Sequence, residues 1–217
     1  MGKNGANAMD VKTIERARHL PPNGKITFQE FLAWCDEDTW AEWVDGEVIM
    51  VPPASVEHQN IGSWLEKVLG IYVESHNLGQ VMRAPFLMKL PGALSGREPD
   101  LLFVQRNRVD LIGKTYLDGA ADLVVEIVSS ESIGRDGGEK FVEYERAGVK
   151  EYGLIDPERQ SAEFYELAGD GRYRLGSIAD DGIYRSKVVS GFWLRITWLW
   201  QKSLPPALEI LRELKIV

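Results

Sequence analysis

Residues 123–128 read LVVEIV and residues 100–104 read DLLFV. Both runs are short and rich in branched side chains, the composition of strands covered on both faces of a sheet. Strand alternation places Leu123, Val125 and Ile127 on one face and Val124, Glu126 and Val128 on the other. Helical patterns precede and follow this pair. The chain therefore reads as α/β (α+β): a central mixed sheet flanked by helices, with an N-terminal helix plus hairpin and a β-rich C-terminal extension.

Working outward, residues 1–24 form a polar tail that contains His19 and closes on Pro21-Pro22-Asn23-Gly24, a cluster that breaks regular structure. Thr27-x-x-Glu30 is a capping box, and Phe28, Phe31, Leu32 and Cys35 continue it as one apolar helical stripe. Asp45-Gly46, between residues 40–44 and 47–51, is a hairpin turn because both residues tolerate positive φ. Pro52-Pro53 ends that hairpin, and Ser55 caps a helix whose inward positions are His58, Ile61, Leu65, Val68 and Tyr72. Residues 80–90 read as one further strand. Asp136-x-x-Glu139 resembles a capping pair opening a helix through Phe141, Tyr144 and Ala147, which Gly148 closes.

The strand at residues 151–156 follows. Short strands then alternate with turns at Gly169-Asp170-Gly171 and Asp181-Gly182. Pro205-Pro206 precedes an amphipathic helix carrying Leu208, Leu211 and Leu214. A single domain over residues 25–217 is expected, with its core at about 53–157 and the C-terminal strands and helix at about 158–217.

Composition narrows the function classes. The 25 basic and 33 acidic residues give a net charge of −8, opposite to the footprint of a DNA-coating protein. Cys35 is the one cysteine, so neither an internal disulfide nor a cysteine metal cluster can form. No apolar run approaches the ~20 residues of a membrane span, and the N-terminus lacks a secretory core, so a cytoplasmic location without membrane association is expected.

Two acids interrupt contexts that should exclude charge. Glu126 points into one side of a central sheet, where a carboxylate must be paired, protonated or bound to a cation. Asp100 stands at the mouth of the neighbouring apolar run, after Pro99. If the two strands are adjacent, both carboxylates converge on a hard divalent ion such as Mg²⁺. Lys140 shares a helical face with Tyr144 and Ala147, which aims its amine at the packed side. There it could orient a water or balance charge on a phosphodiester.

Each residue also has a plainer reading. Asp100 suits a strand-start acid, Glu126 a structural ion pair and Lys140 a surface lysine. His58 suits a buried, hydrogen-bonded histidine, and Glu42 and Glu47 are strand acids that could assist a metal, with exposed strand positions explaining them equally well. His76 lies at a helix end, where a cation suits the dipole. From Arg83 to Lys114, six basic residues (Arg83, Lys89, Arg97, Arg106, Arg108, Lys114) face three acids (Glu98, Asp100, Asp110), either a phosphate-attracting patch or solvated loop charges. Trp193, Trp198 and Trp200 suit a core or a subunit contact better than base stacking. The glycine-rich stretch ending at Lys140 lacks the Ser/Thr of a phosphate loop.

Several strings in order carry a resemblance: residues 42–58 (EWVDGEVIMVPPASVEH), 98–104 (EPDLLFV), 123–130 (LVVEIVSS), 135–140 (RDGGEK) and 144–157 (YERAGVKEYGLIDP). Over about residues 27–193 the chain resembles the putative restriction endonuclease family with the PD-(D/E)XK nuclease fold. The resemblance implies a restriction endonuclease-like core in which Asp100 and Glu126 match the metal-binding acids and Lys140 the catalytic lysine. The general pattern puts the lysine two residues after the glutamate, where this chain has Val128. Lys140 fits the family's variant, with the lysine relocated to the following helix.

The implied function is a metal-dependent DNA endonuclease using Mg²⁺ or Mn²⁺, with His58 and Glu47 as auxiliaries and a symmetric homodimer for cutting both strands. The competing expectations are an inactive nuclease fold that binds nucleic acid or a protein partner, and a metal hydrolase of small phosphoesters.

Overall fold

The computed structural model describes residues 21–217 except 37, 129–133 and 177, and for 135–137 the backbone alone. His19, Ser129 and Ser130 lie outside the described residues, as does the side chain of Asp136. The capping box at Thr27 forms as expected, with the Thr27 hydroxyl accepting from Glu30 N–H and the Glu30 carboxylate accepting from Thr27 N–H, and it opens α1 (Phe28–Trp34). Asp45 and Gly46 take φ of 50° and 87°. They turn β1 (Ala41–Val44) into β2 (Glu47–Met50). Ser55 caps α2 (Val56–Ser75), which buries Ile61, Leu65, Val68 and Tyr72 on its inward face.

The stretch expected as one strand divides into β3 (Gly79–Arg83) and β4 (Leu87–Lys89), which belong to different sheets. Ala84-Pro85, a cis peptide, separates them, and proline has no N–H to continue a ladder. Gly79 has no room for a side chain: a Cβ there would lie 2.0 Å from the Val104 carbonyl oxygen.

β5 (Ser95–Arg97) leads to β6 (Leu101–Gln105), β7 (Tyr116–Asp118) and β8 (Leu123–Ile127). A π-helical turn (Arg135–Lys140) runs into α3 (Phe141–Ala147), and Gly148, at φ 85°, ends that helix. Asp136 therefore lies inside the helical segment rather than in front of it. β9 (Glu151–Asp156), β10 (Ser161–Leu167) and β11 (Tyr173–Leu175) complete a six-stranded sheet ordered β11-β10-β9-β8-β6-β3. A five-stranded sheet ordered β2-β1-β5-β4-β7 lies beside it, and β12 (Ile183–Arg185) pairs with β13 (Trp193–Arg195).

β8 sits between β9, parallel to it, and β6, antiparallel to it. Both of its faces are covered. Leu101, Phe103, Leu123, Val125 and Ile127 pack with α2 and with Phe192, Leu194 and Trp198. Leu102, Val104 and Val124 pack on the other side with Tyr144 and Tyr152.

The expected amphipathic helix is α4 (Ala207–Glu213), with a different inner face. Ile210, Leu211 and Leu214 are buried, whereas Leu208 is exposed. Trp198 is buried against Trp64 and Trp193, so the tryptophan-rich run belongs to the core. Among the described residues no helix is long and apolar enough to cross a membrane.

Candidate active site

The β6–β8 register pairs Leu101 with Val125, so one step further along the ladder Asp100 stands opposite Glu126. The side chains of such a pair share a face. Asp100 Oδ2 accepts the Ile127 N–H at 2.7 Å and lies 3.0 Å from His58 Nε2, which ties β6 to β8 and to the first turn of α2. The other ring nitrogen of His58, Nδ1, is buried without a hydrogen-bond partner among the described residues.

Glu126 is 2% exposed, and its Oε1 accepts from the Tyr144 hydroxyl at 2.7 Å and from Lys140 Nζ at 3.0 Å. Lys140 and Tyr144 are four residues apart on one helical face, which is why both reach the same oxygen. Burial, with the Glu126 charge beside it, holds the Tyr144 phenol well above its ordinary range.

A third acid completes the arrangement. Glu42, from β1, is buried and places Oε1 at 3.1 Å from Lys140 Nζ, so the amine is held between carboxylates from two sheets. The same oxygen accepts the Glu98 N–H at 3.1 Å, and Oε2 accepts from Arg97 Nη1 at 2.9 Å. Burial opposes its charge, but Lys140 and Arg97 outweigh that and hold the carboxyl below its usual range. Arg97, 1% exposed, also makes a bidentate pair with Glu143 of α3 at 2.9 and 2.7 Å. A closed circuit results, in which α3 grips Arg97, Arg97 grips Glu42, and Glu42 grips Lys140 of the preceding turn. At Glu98, burial followed by Glu42 repulsion outweighs the attraction of Lys140 and pushes the carboxyl up to about 7.

These groups open on one cleft of about 520 Å³, lined by Glu42, His58, Glu98, Asp100, Glu126 and Lys140 among others. The fold thus brings together Asp100, Glu126, Lys140 and His58. Glu47 stands apart: it is exposed at the start of β2, pairs with Val44, and does not line the cleft. Glu42, by contrast, is buried where an exposed strand position was equally open.

Four of the six basic residues between Arg83 and Lys114 are not free to meet a phosphate. Arg97 is buried, and Arg83, Lys89 and Arg108 pair with Glu66, Asp118 and Asp122.

A model of the family described as putative restriction endonuclease matches residues 28–197. The chain belongs to that family. A solved structure, a putative nuclease belonging to DUF820 from Anabaena variabilis ATCC 29413, superposes with a TM-score of 0.68 over 81% of this chain and 97% of its own, at 19% identity, and shares the fold. No curated protein matches the chain significantly.

Among the described residues of this putative restriction endonuclease family member, no group of three His, Cys, Asp or Glu side chains is arranged to hold a metal ion. The carboxylates of Asp100 and Glu126, which face each other across β6 and β8, do open on the same cleft. That donor set does not suit a closed zinc-like cage, which needs four protein ligands. It suits Mg²⁺, which keeps several waters and is bound through one or two carboxylates plus substrate phosphates.

Glu42, Arg97 and Glu143 carried little signal in the sequence. The strand of Glu42 and the helix of Glu143 were readable, whereas Ser95 and Gly96, which read as loop, belong with Arg97 to β5, and a charge in a short strand or on a helix looks solvated until another element covers it.

Proposed function

We propose that this chain is a divalent-metal-dependent DNA endonuclease of the PD-(D/E)XK type, acting in the cytoplasm. The observation that carries this reading is the meeting of Asp100, Glu126 and Lys140, from two strands and a helix, in one cleft. Asp100 and Glu126 are the residues that would hold Mg²⁺ or Mn²⁺. The bound ion would supply Lewis-acid polarisation and charge neutralisation at the phosphodiester.

The chain's own groups set the rest. The Ile127 N–H and His58 fix the Asp100 carboxylate, and the Tyr144 hydroxyl fixes that of Glu126. The Lys140 amine, held between Glu126 and Glu42, is a fixed cation for phosphate oxygens that become more anionic as the water attacks. His58 assists through Asp100, and Glu47 has no supporting contact with the cleft. Cutting both strands of a duplex is simplest with two clefts, and hence with a symmetric pair of copies. That pairing cannot use Trp198, which is buried.

Nicking of supercoiled and single-stranded DNA in Mg²⁺ or Mn²⁺ tests the reading. Asp100→Ala and Glu126→Ala should each abolish it, and cleavage that survives both would refute it. The saturated contacts of Lys140 and the absence of a three-ligand group among the described residues favour a second reading, a nuclease fold that binds without cutting. Metal-independent binding with no cleavage would select it.

A further inference from the structure

Part of the cleft lining carries little that could bind phosphate. Trp40, Pro52, Pro53 and Pro85 form it and are exposed, with Val51 and Ala54 half-buried among them. Trp40 precedes β1, and its carbonyl accepts the Val51 N–H at 3.0 Å, so it stands at the open end of the β1–β2 hairpin. Its side chain, unlike the buried Trp43 and Trp198, is 42% exposed. The prolines follow β2 and β3. A proline offers no N–H and has a fixed φ, so these three positions are stiff and give phosphate no backbone donor, and the indole N–H of Trp40 is the one side-chain donor among the four residues.

The charged part of the lining is mainly acidic. Glu42, Glu98, Asp100, Glu126 and Glu158 line the cleft against Arg83 and Lys140. Both cations are engaged: Lys140 by Glu126 and Glu42, and Arg83 by Gln59 at 2.6 Å and Glu66 at 3.5 Å. A duplex shows a protein mainly phosphates, and its affinity comes from cations that neutralise them. This cleft offers a duplex backbone little beyond a bound metal ion. An unpaired base, with its π-face bare, gains from an exposed indole whatever its identity. The cleft volume of about 520 Å³ is on the scale of a small-ligand site rather than a duplex-wide groove.

Building on the endonuclease reading, we propose that the substrate is DNA with an unpaired base beside the scissile phosphate, and that Trp40, backed by Pro52, Pro53 and Pro85, is the platform on which that base stacks. Trp40 is on this account a specificity-determining residue. A single-stranded or bulged segment supplies such a base, whereas a fully paired duplex must first unstack one.

The test is fluorescence anisotropy with the full chain in Mg²⁺, using phosphorothioate-linked oligonucleotides so that binding is read without cleavage. The probes are a single strand, its perfect duplex, the duplex with a one-base bulge, and the same bulge made abasic. The wild type should prefer the single strand and the bulge. Trp40→Ala should weaken both by roughly tenfold or more and leave the duplex and the abasic bulge unchanged, while Trp40→Phe retains most of the preference.

A wild type that prefers duplex, or a Trp40→Ala variant that weakens every probe equally or none, would overturn the proposal. So would loss of self-association in Trp40→Ala with unchanged oligonucleotide binding, which assigns this part of the lining to a contact between copies. The two readings fail separately. Trp40-dependent binding without cleavage defeats the endonuclease alone, and Asp100-dependent cutting of duplex without any preference for unpaired bases defeats this inference alone.

Discussion

Replacing Arg97 by Met tests whether the ion network that carries Lys140 is a working part of the fold. Arg97 is 1% exposed and gives three hydrogen bonds, two to Glu143 at 2.9 and 2.7 Å and one to Glu42 at 2.9 Å. Removing one partner of a buried ion pair costs about 3–5 kcal/mol, because the remaining charge stays buried without compensation. Two features place this site at the lower end. Glu143 is partly exposed and can rehydrate, and Glu42 keeps Lys140 at 3.1 Å and the Glu98 N–H at 3.1 Å. The expected loss is about 3 kcal/mol.

With a urea m-value of about 3 kcal/mol per M for a chain of this size, the unfolding midpoint should fall by about 1 M at unchanged slope. The readout is equilibrium unfolding followed by tryptophan fluorescence. A second variant, Arg97→Met with Glu143→Leu, should recover part of the loss, since an apolar pair of similar volume avoids the desolvation that a lone carboxylate suffers. A loss under about 1 kcal/mol in the single variant, or none recovered in the double, would refute the argument that Arg97 is the buried centre of this ion network.

The Glu98 carboxyl, raised to about 7, makes stability depend on pH. Between the unfolded value near 4.5 and the folded value, the unfolded chain loses this proton while the native state keeps it. This contribution therefore weakens the fold as pH rises through that window and is constant outside it. Glu98→Gln should gain on the wild type over that range in chelator-treated samples, and a pH-independent difference would contradict the assignment. Tyr144→Phe removes a buried donor from Glu126 and should cost about 1.5–3 kcal/mol in chemical unfolding, whereas a change below about 0.5 kcal/mol would mean that the hydroxyl is not bonded to the carboxylate.

Local patterns were readable because their causes are local. The Thr27 capping box, the Asp45-Gly46 turn, the inward stripe of α2 and the left-handed Gly148 each depend on a few neighbouring residues, and each stands where the pattern put it. Misreadings arose where a distant neighbour decides. Residues 80–90 split because β3 pairs with β6 while β4 pairs with β5 and β7. Leu208 faces outward because α2 meets the other side of α4, and no periodicity within a seven-residue helix fixes which side that is.

The sequence by itself determined that two apolar strands would carry Asp100 and Glu126 and that Lys140 would face the packed side of a helix, because strand alternation and helical spacing are properties of the backbone. Tertiary structure alone decided that these strands are neighbours and that Glu42 and Arg97 are buried with Lys140. It also decided that Arg97 is buried in ion pairs while Arg83, Lys89 and Arg108 each pair with an acid far off in sequence. Charges sort themselves by what packs over them, and that information is distributed across sheets and helices far apart in the chain.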